Sequence, residues 1–388
     1  MAIRNRKCGA ILSNSTKNIT GITIPCHWDI GTVKKIIKNN DLSKNIIVKE
    51  IYGVLAEGGP VGHGRTRESV VQISRKAAIR FRNEIYNLGI GFSYLLNAPF
   101  KIASGKSSRE LDEYLDWILG EFRPDALSIS SLDLMKYIRK RDKDISIHIS
   151  TIAGVKNGED LKKFLQIKPA RVVPHHDCGK RWSELKEIIA IGNKNSIEVE
   201  MLSTESCLFQ CPNRDIHYRH LAKKTSDETF HVTCNSTKLL HPREFILAGG
   251  IIRPEDMKIF EEMGIKHFKL SGRAKPLTWL HGAANAYQSR GYEGNLIRLL
   301  GIDPSLKAED WIYIENKALD GFLADFPQSK SKEEEISYCE SWIQKLYYEG
   351  NFRLNDGSKY KVIDGSLTLQ NSGTLCRLIM QKEIGRIQ

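Results

Sequence analysis

The stretch ALSISSLDLMKYIRKRDKDISIHISTIAGVKNGEDLKKFLQIKPARVVPHHD, residues 126–177, decides the fold. Three short runs in it are rich in apolar residues: ALSISS (126–131), SIHISTIA (146–153) and RVVPHHD (171–177). Between them lie stretches whose apolar residues stand three and four apart. The short runs read as strands, and the stretches between as helices with one face able to pack on a sheet. Strand–helix–strand order implies a parallel sheet with helical crossovers. The same rhythm extends outward through GITIPCHW (21–28), NIIVKEIYG (45–53) and IGFSYLLNA (90–98) on one side, and SIEVEML (196–202) and KHFKLSG (266–272) on the other. Eight such strands predict an α/β fold, a (β/α)8 TIM-like barrel. Ser108, Asn157 and Pro254 supply helix-start signals. An open doubly wound sheet is the alternative, but GGPVGHGR after the second strand does not match the G-x-G-x-x-G fingerprint of that fold.

One connection breaks the rhythm. From Met201 to Lys266 run about 60 residues where one helix would do, and long connections in compact domains are usually functional. The expected organisation is an N-terminal extension (1–20), the barrel (21–300) with an insertion at 203–250, and an accessory region (305–388). That last region reads as a helix and short strands, with no chemistry assigned to it.

A chain of 388 residues with 41% hydrophobic residues can bury a large core. No apolar run approaches the ~18 residues of a membrane span. The N-terminus lacks a signal-peptide core. A soluble, cytoplasmic protein with no membrane partner is expected. The net charge of +12 permits RNA, an acidic peptide or an anionic small molecule as partner.

Eight cysteines in a chain of this type point to metal or redox work more than to disulfides. Cys207 and Cys211 follow the seventh strand in STESCLFQCPNRDIHYRH, and Cys234 follows in HVTCN. Function in a parallel barrel gathers at the C-terminal ends of its strands, and a thiolate trio there suits a soft metal centre. Three readings stand: an iron–sulfur cluster, a zinc site completed by His217 or His220, or unconnected thiols. Cys178 follows the sixth strand and Cys26 lies near the end of the first. Either could supply a fourth ligand, or the fourth position stays open to substrate. Cys8, Cys339 and Cys376 read as ordinary thiols.

Other residues gather at the same rim. His63 and Arg65 lie in GGPVGHGRTRES, whose glycines let backbone approach a ligand closely. Arginine suits a two-pronged grip on carboxylate or phosphate, which makes Arg65, Arg214 and Arg273 candidates for binding an anionic substrate. Asn97 ends the third strand. His175, His176 and Asp177 end the sixth, and in a regular strand only one of the two histidines faces inward. His176 and His217 are the candidates for moving protons. His217 and His220 share a helix face. Arg253 opens a late helix. By alternation Phe268 and Leu270 face one side of the last strand and Lys269 and Ser271 the other, and a lysine inside a barrel is costly unless paired.

Three segments together, ISTIAGVKNGEDLKKFLQIKPARVV, EVEMLSTESCLFQCPNRDIHYRH and GIIRPEDMKIFEEMGIKHFKLSGRAKP, resemble the collagenase-like peptidase U-32 family. The resemblance covers roughly residues 20–290 and is strongest over 196–276. It implies an α/β barrel with a 4Fe-4S cluster on cysteines. It also implies oxygen-independent hydroxylation of transfer RNA, ribosomal RNA or ubiquinone precursors, with prephenate as oxygen donor in several members. Some members work as heterodimers. Cys207, Cys211 and Cys234 match the family's cysteine-bearing region. Many members carry a tyrosine- and glycine-containing motif with a further nearby cysteine, where this chain has CLFQCPNRDIHYRH. The resemblance therefore transfers neither the substrate nor the fourth ligand, for which Cys178 is the first candidate. The expected function is an iron–sulfur hydroxylase or transferase. The alternatives are a cysteine or metal peptidase, with Cys178 near His176 as the only evident nucleophile–base pair, and a non-catalytic cluster-bearing subunit. No H-E-x-x-H or G-x-S-x-G motif is present.

Overall fold

A computed structural model of the chain describes residues 19–57, 59–65, 70–100, 108–222, 228–301, 310, 312–328 and 331–370. Residues 1–18 of the expected N-terminal extension, Cys8, Cys376 and residues 66–69 of the GGPVGHGRTRES loop lie outside these.

Eight parallel strands close into a barrel in sequence order: β1 (Thr20–Pro25), β2 (Ile46–Gly53), β3 (Gly91–Leu96), β4 (Ala126–Ile129), β5 (Ser146–Ile149), β6 (Arg171–Val172), β7 (Glu198–Leu202) and β8 (His267–Lys269). β8 pairs with β1 to close the ring. The crossover helices begin with α1 (Ile30–Ile37), α2 (Arg75–Asn87), α3 (Arg109–Asp116), α4 (Leu132–Arg141), α5 (Gly158–Lys162) and α6 (Trp182–Lys194). Ser108 and Asn157 cap α3 and α5, each accepting a bond from a backbone N–H of the first turn, as the sequence signals predict. Outward-facing strand residues such as Phe92, Ile129, Ile149, Phe268 and Leu270 are wholly buried beneath these helices.

The barrel interior is charged. Arg171 of β6 reaches Glu50 of β2 (3.0 Å), Glu200 of β7 (3.4 Å) and Glu198 at the start of β7 (2.9 Å). Lys269 lies 3.8 Å from Glu200 and 4.1 Å from the centre of the Tyr52 ring. A lysine inside a barrel needs such partners to offset its desolvation. The pairs Phe268 with Leu270 and Lys269 with Ser271 lie on opposite faces as the alternation predicts, and Lys269 and Ser271 are the pair that faces inward.

β6 is shorter than the run RVVPHHD suggests. Pro174 has no N–H to continue the ladder, and the chain turns into a single tight helical turn, His176–Lys180, capped by the His175 ring.

After β7 the chain leaves the barrel for the expected insertion. Two helices, α7 (Arg214–Ala222) and α8 (Glu228–Leu240), are followed by a short α9 (Glu244–Leu247). The ends of the excursion are zipped together: Thr204 bridges Ile251 antiparallel, and the Ile252 N–H donates to the Ser203 carbonyl (2.9 Å). Its returning end is pinned by glycines. A side-chain carbon on Gly179 would stand 1.8 Å from the Gly249 carbonyl oxygen. One on Gly249 would meet the His176 carbonyl oxygen at 2.5 Å, and one on Gly250 the Glu205 carbonyl oxygen at 2.6 Å. Backbone thus lies on backbone where the β6 turn meets the insertion. Gly179→Ala is expected to destabilise the protein by about 1–3 kcal/mol, the usual range for overpacking. Urea unfolding midpoints of the two proteins measure this.

α10 (Met257–Glu262) and α11 (Leu277–Ser289) complete the barrel wall. Beyond it, β9 (Ile312–Ile314) pairs antiparallel with β10 (Phe352–Leu354), β11 (Tyr360–Ile363) pairs with β12 (Ser366–Leu369), and α12 (Lys332–Tyr348) lies between. This region braces the insertion. The Tyr360 hydroxyl donates to the Leu239 carbonyl at the end of α8 (2.8 Å), and Arg243 pairs with Glu340 (2.9 Å). Arg253 holds the same region to the barrel through Asp256 (2.8 Å) and Asp320 (3.1 Å). Among the described residues no helix is long and apolar enough to cross a membrane.

Candidate functional site

The insertion brings the three cysteines over the C-terminal rim of the barrel. Cys207 lies on the loop leaving β7, Cys211 just before α7, and Cys234 within α8. The sequence suggests Cys234 beyond one short helix; it sits inside the second of two. The Cys211 and Cys234 thiols hydrogen-bond each other, an interaction that lowers Cys211 and raises Cys234. Cys207 lies near enough for its charge to be felt at Cys234, and burial followed by Glu205 pushes its thiol up to about 11. Gln210 takes a left-handed backbone (φ 49°) to turn the chain into Cys211, and its N–H donates to Asp177 (3.2 Å).

The surroundings of the trio are cationic. Buried Lys238, on α8, hydrogen-bonds only the Ser206 hydroxyl (3.3 Å) among the described residues, and burial lowers its pKa. Buried Arg214 donates to the Leu208 carbonyl (2.6 Å) and stands 3.9 Å from Asp177. Its Nε and Nη1 have no hydrogen-bond partner among the described residues. Buried cations without full carboxylate partners are costly unless a negative group sits beside them. Three thiolates binding a metal centre would supply that charge. The donor set and its collar therefore fit a thiolate-ligated cluster.

At the mouth of the barrel, on the side of Cys207 that carries Glu205, lies a cavity lined by Tyr52, Arg65, Asn97, His176, Glu205 and Arg273 among others. Arg273 is buried, and its Nη1 has no hydrogen-bond partner among the described residues. Burial first and the neighbouring Arg65 second bring its pKa down to about 10, so it stays charged at neutral pH. Arg65 pairs with Glu205 at 3.5 Å. Two guanidiniums converging on one cavity make a receptor for a carboxylate or phosphate.

His176 stands between this cavity and the cysteines. Its Nε2 is 3.2 Å from the Tyr218 hydroxyl, and its Nδ1 is 3.5 Å from the Thr151 hydroxyl. Ligand atoms of His176, Glu205 and Cys207 all lie within 4.8 Å of one another.

The other expected site residues lie elsewhere. His175 turns away from His176, with the rings at 83°, and lines a separate cleft beside Cys178 and Cys211. Cys178 is buried and points at the Val155 and Lys156 carbonyls (3.9 and 3.5 Å). Cys26 is buried at the end of β1, its sulfur accepting the Trp28 N–H (3.4 Å). His217 lies flat on Phe230 of α8 (ring centres 4.6 Å apart), and His220 packs on the same ring. His63 is buried, 3.2 Å from the Ala56 carbonyl, and so shapes the loop that carries Arg65. Glu205, Tyr218 and Lys238 were not singled out in the sequence. Glu205 was the findable one, a carboxylate two residues before Cys207.

The buried histidines make stability depend on pH. Burial, then Arg171, holds His148 well below the usual histidine value. Burial, then Arg214, holds His175 down to about 3. Both stay neutral in the folded protein while the unfolded chain takes up protons below pH ~6.5. Stability is thus full above that value and falls as pH drops, for His175 down to about 3. Each such histidine costs roughly 1.4 kcal/mol at one pH unit below its unfolded value. Urea unfolding at pH 7.5 and pH 5.5 is expected to show a smaller loss for His175→Asn than for wild type, by about that amount.

The model of the family described as peptidase family U32 matches residues 100–291. A protein of Methanocaldococcus jannaschii, described as an uncharacterized protease, is 25% identical over 241 residues, spanning 60% of this chain and 70% of that protein. The solved structure of the U32 peptidase Mk0906 is 13% identical, covering 66% of this chain and 94% of that one with a TM-score of 0.45.

Proposed function

We infer, from a chain that belongs to peptidase family U32, that this protein is an iron–sulfur enzyme. It modifies an anionic substrate without molecular oxygen, by hydroxylation or a related group transfer. Cys207, Cys211 and Cys234 would hold a 4Fe-4S cluster, which when bound supplies a Lewis-acid or one-electron redox centre. The observation that carries this reading is the cysteine trio beside Lys238 and Arg214, cations incompletely paired among the described residues, next to a cavity lined by Arg273, whose Nη1 has no hydrogen-bond partner among them. Arg65 and Arg273 grip the carboxylate or phosphate of the substrate. His176 accepts or returns a proton at a ring nitrogen, steadied by Tyr218 and Thr151. The insertion excludes water from the cavity. A dicarboxylate such as prephenate matches the two arginines as co-substrate, and the net charge of +12 supports an RNA or other polyanionic acceptor. Cluster chemistry of this kind also suits a protein that works beside a related subunit.

The test is anaerobic purification followed by iron and sulfide quantitation, with absorption at about 400 nm expected from thiolate-ligated iron. A copurifying small acid, identified by mass spectrometry, should be lost in Arg273→Ala. A colourless, iron-free protein that remains active would sink the reading.

One observation favours a second reading, peptide hydrolysis at a single metal ion. His176, Glu205 and Cys207 offer nitrogen, oxygen and sulfur donors to one point, a set that suits zinc. One zinc per chain with no sulfide, and peptide cleavage abolished by chelation, would establish it. A cysteine nucleophile at Cys178 has no such support, because burial holds that thiol well above its ordinary value.

A further inference from the structure

We propose that the fourth ligand of the cluster is the Glu205 carboxylate and not a cysteine. This assignment rests on the iron–sulfur reading above. Glu205 Oε1 stands 3.5 Å from the Cys207 sulfur, and Oε2 stands 3.5 Å from Arg65. With the nearest His176 ring nitrogen, the carboxylate and the sulfur converge within 4.8 Å of one another. Glu205 and Cys207 are two residues apart on a loop fixed at its root, where the Glu205 N–H donates to the Gly250 carbonyl (2.9 Å) and Gly250 packs on the Glu205 backbone. A carboxylate and a thiolate held this close in a largely sealed site repel each other unless a cation joins them. Arg65 meets the carboxylate at Oε2. The oxygen turned to the sulfur, Oε1, has the Cys207 thiol for its neighbour, and metal binding takes the proton from that thiol.

The remaining described cysteines face elsewhere. Cys178 donates to two carbonyls, Cys26 accepts a backbone N–H at the end of β1, and Cys339 is buried in α12. A carboxylate is a harder donor than a thiolate and holds iron less firmly. Glu205 also lines the mouth cavity beside Arg65 and Arg273. The weakly held ligand position is therefore the one on the substrate's side, and a substrate anion that engages Arg65 competes for the guanidinium that steadies Glu205.

The experiment compares wild type, Glu205→Gln, Glu205→Cys and Cys178→Ala, all purified anaerobically. Iron and sulfide per chain are measured before and after ferricyanide, with low-temperature electron paramagnetic resonance. Ferricyanide takes one electron from the cluster and one Fe2+ leaves, so wild type should fall from about four to about three irons per chain and develop the signal of a three-iron cluster. Glu205→Gln should hold about three irons before any oxidant is added. Glu205→Cys should keep all four after it. Cys178→Ala should match wild type. The assignment is overturned if Cys178→Ala is the variant that loses iron, or if Glu205→Gln and Glu205→Cys both behave as wild type. Wild type that carries no iron or sulfide overturns the iron–sulfur reading itself, and this assignment with it.

Discussion

Alanine at Cys234 is expected to strip iron and inorganic sulfide from the protein while leaving the barrel folded. Cys234 lies on α8 and is only partly buried, so its sulfur adds little to the core. What it does contribute is the second half of a thiol pair with Cys211, which lies on the loop before α7, 23 residues away in the chain. Without it, two thiols remain beside Lys238 and Arg214, too few to hold a cluster against solvent. Cys207→Ala and Cys211→Ala should behave alike. Cys339→Ala is the control: that thiol is fully buried in α12, away from the trio, so its removal should cost some stability and no iron. Iron and sulfide assays, the absorption at about 400 nm and far-ultraviolet circular dichroism separate the two effects. Full iron and sulfide in Cys234→Ala would remove the basis for a shared centre.

Arg171→Met should cost about 3–5 kcal/mol of stability, the range for breaking a buried ion pair by removing one partner. Arg171 is the hub of the barrel interior. It meets Glu50, Glu198 and Glu200, and Glu200 is completely buried. Lys269 and the Thr23 hydroxyl then remain as partners of Glu200, and His148 as the partner of Glu50 (3.8 Å). The double variant Arg171→Met/Glu200→Gln should recover part of the loss. Urea unfolding measures all three, and a gap under 1 kcal/mol at pH 7 would contradict the hub role.

The barrel was legible because its signals are local. Each strand is a short apolar run, and the helices between repeat at helical spacing. Alternation in KHFKLSG put Lys269 and Ser271 on one face and Phe268 and Leu270 on the other, and their burial partners decide which face is interior. The long gap between Met201 and Lys266 marked the insertion, since no crossover needs that length. What the sequence hid is pairing across distance. NIIVKEIYG and SIEVEML read simply as strands, yet Glu50 and Glu200 point into the barrel, toward an arginine 121 and 29 residues away. The shortening of β6 was visible in Pro174, but the opposite outlooks of His175 and His176 follow from the turn after it. His217 and His220 do share a helix face, and which body that face meets depends on how α7 lies on α8. Phe230 occupies it.

The glycine contacts at 179, 249 and 250 have an evolutionary consequence. They weld both roots of the sulfur-bearing excursion to the rim, so everything between the welds can change in length and composition without shifting Glu205 or His176. The excursion is in effect an exchangeable cassette. Transplanting it onto another barrel would require three side-chain-free positions at the graft points before any cysteine could find its place.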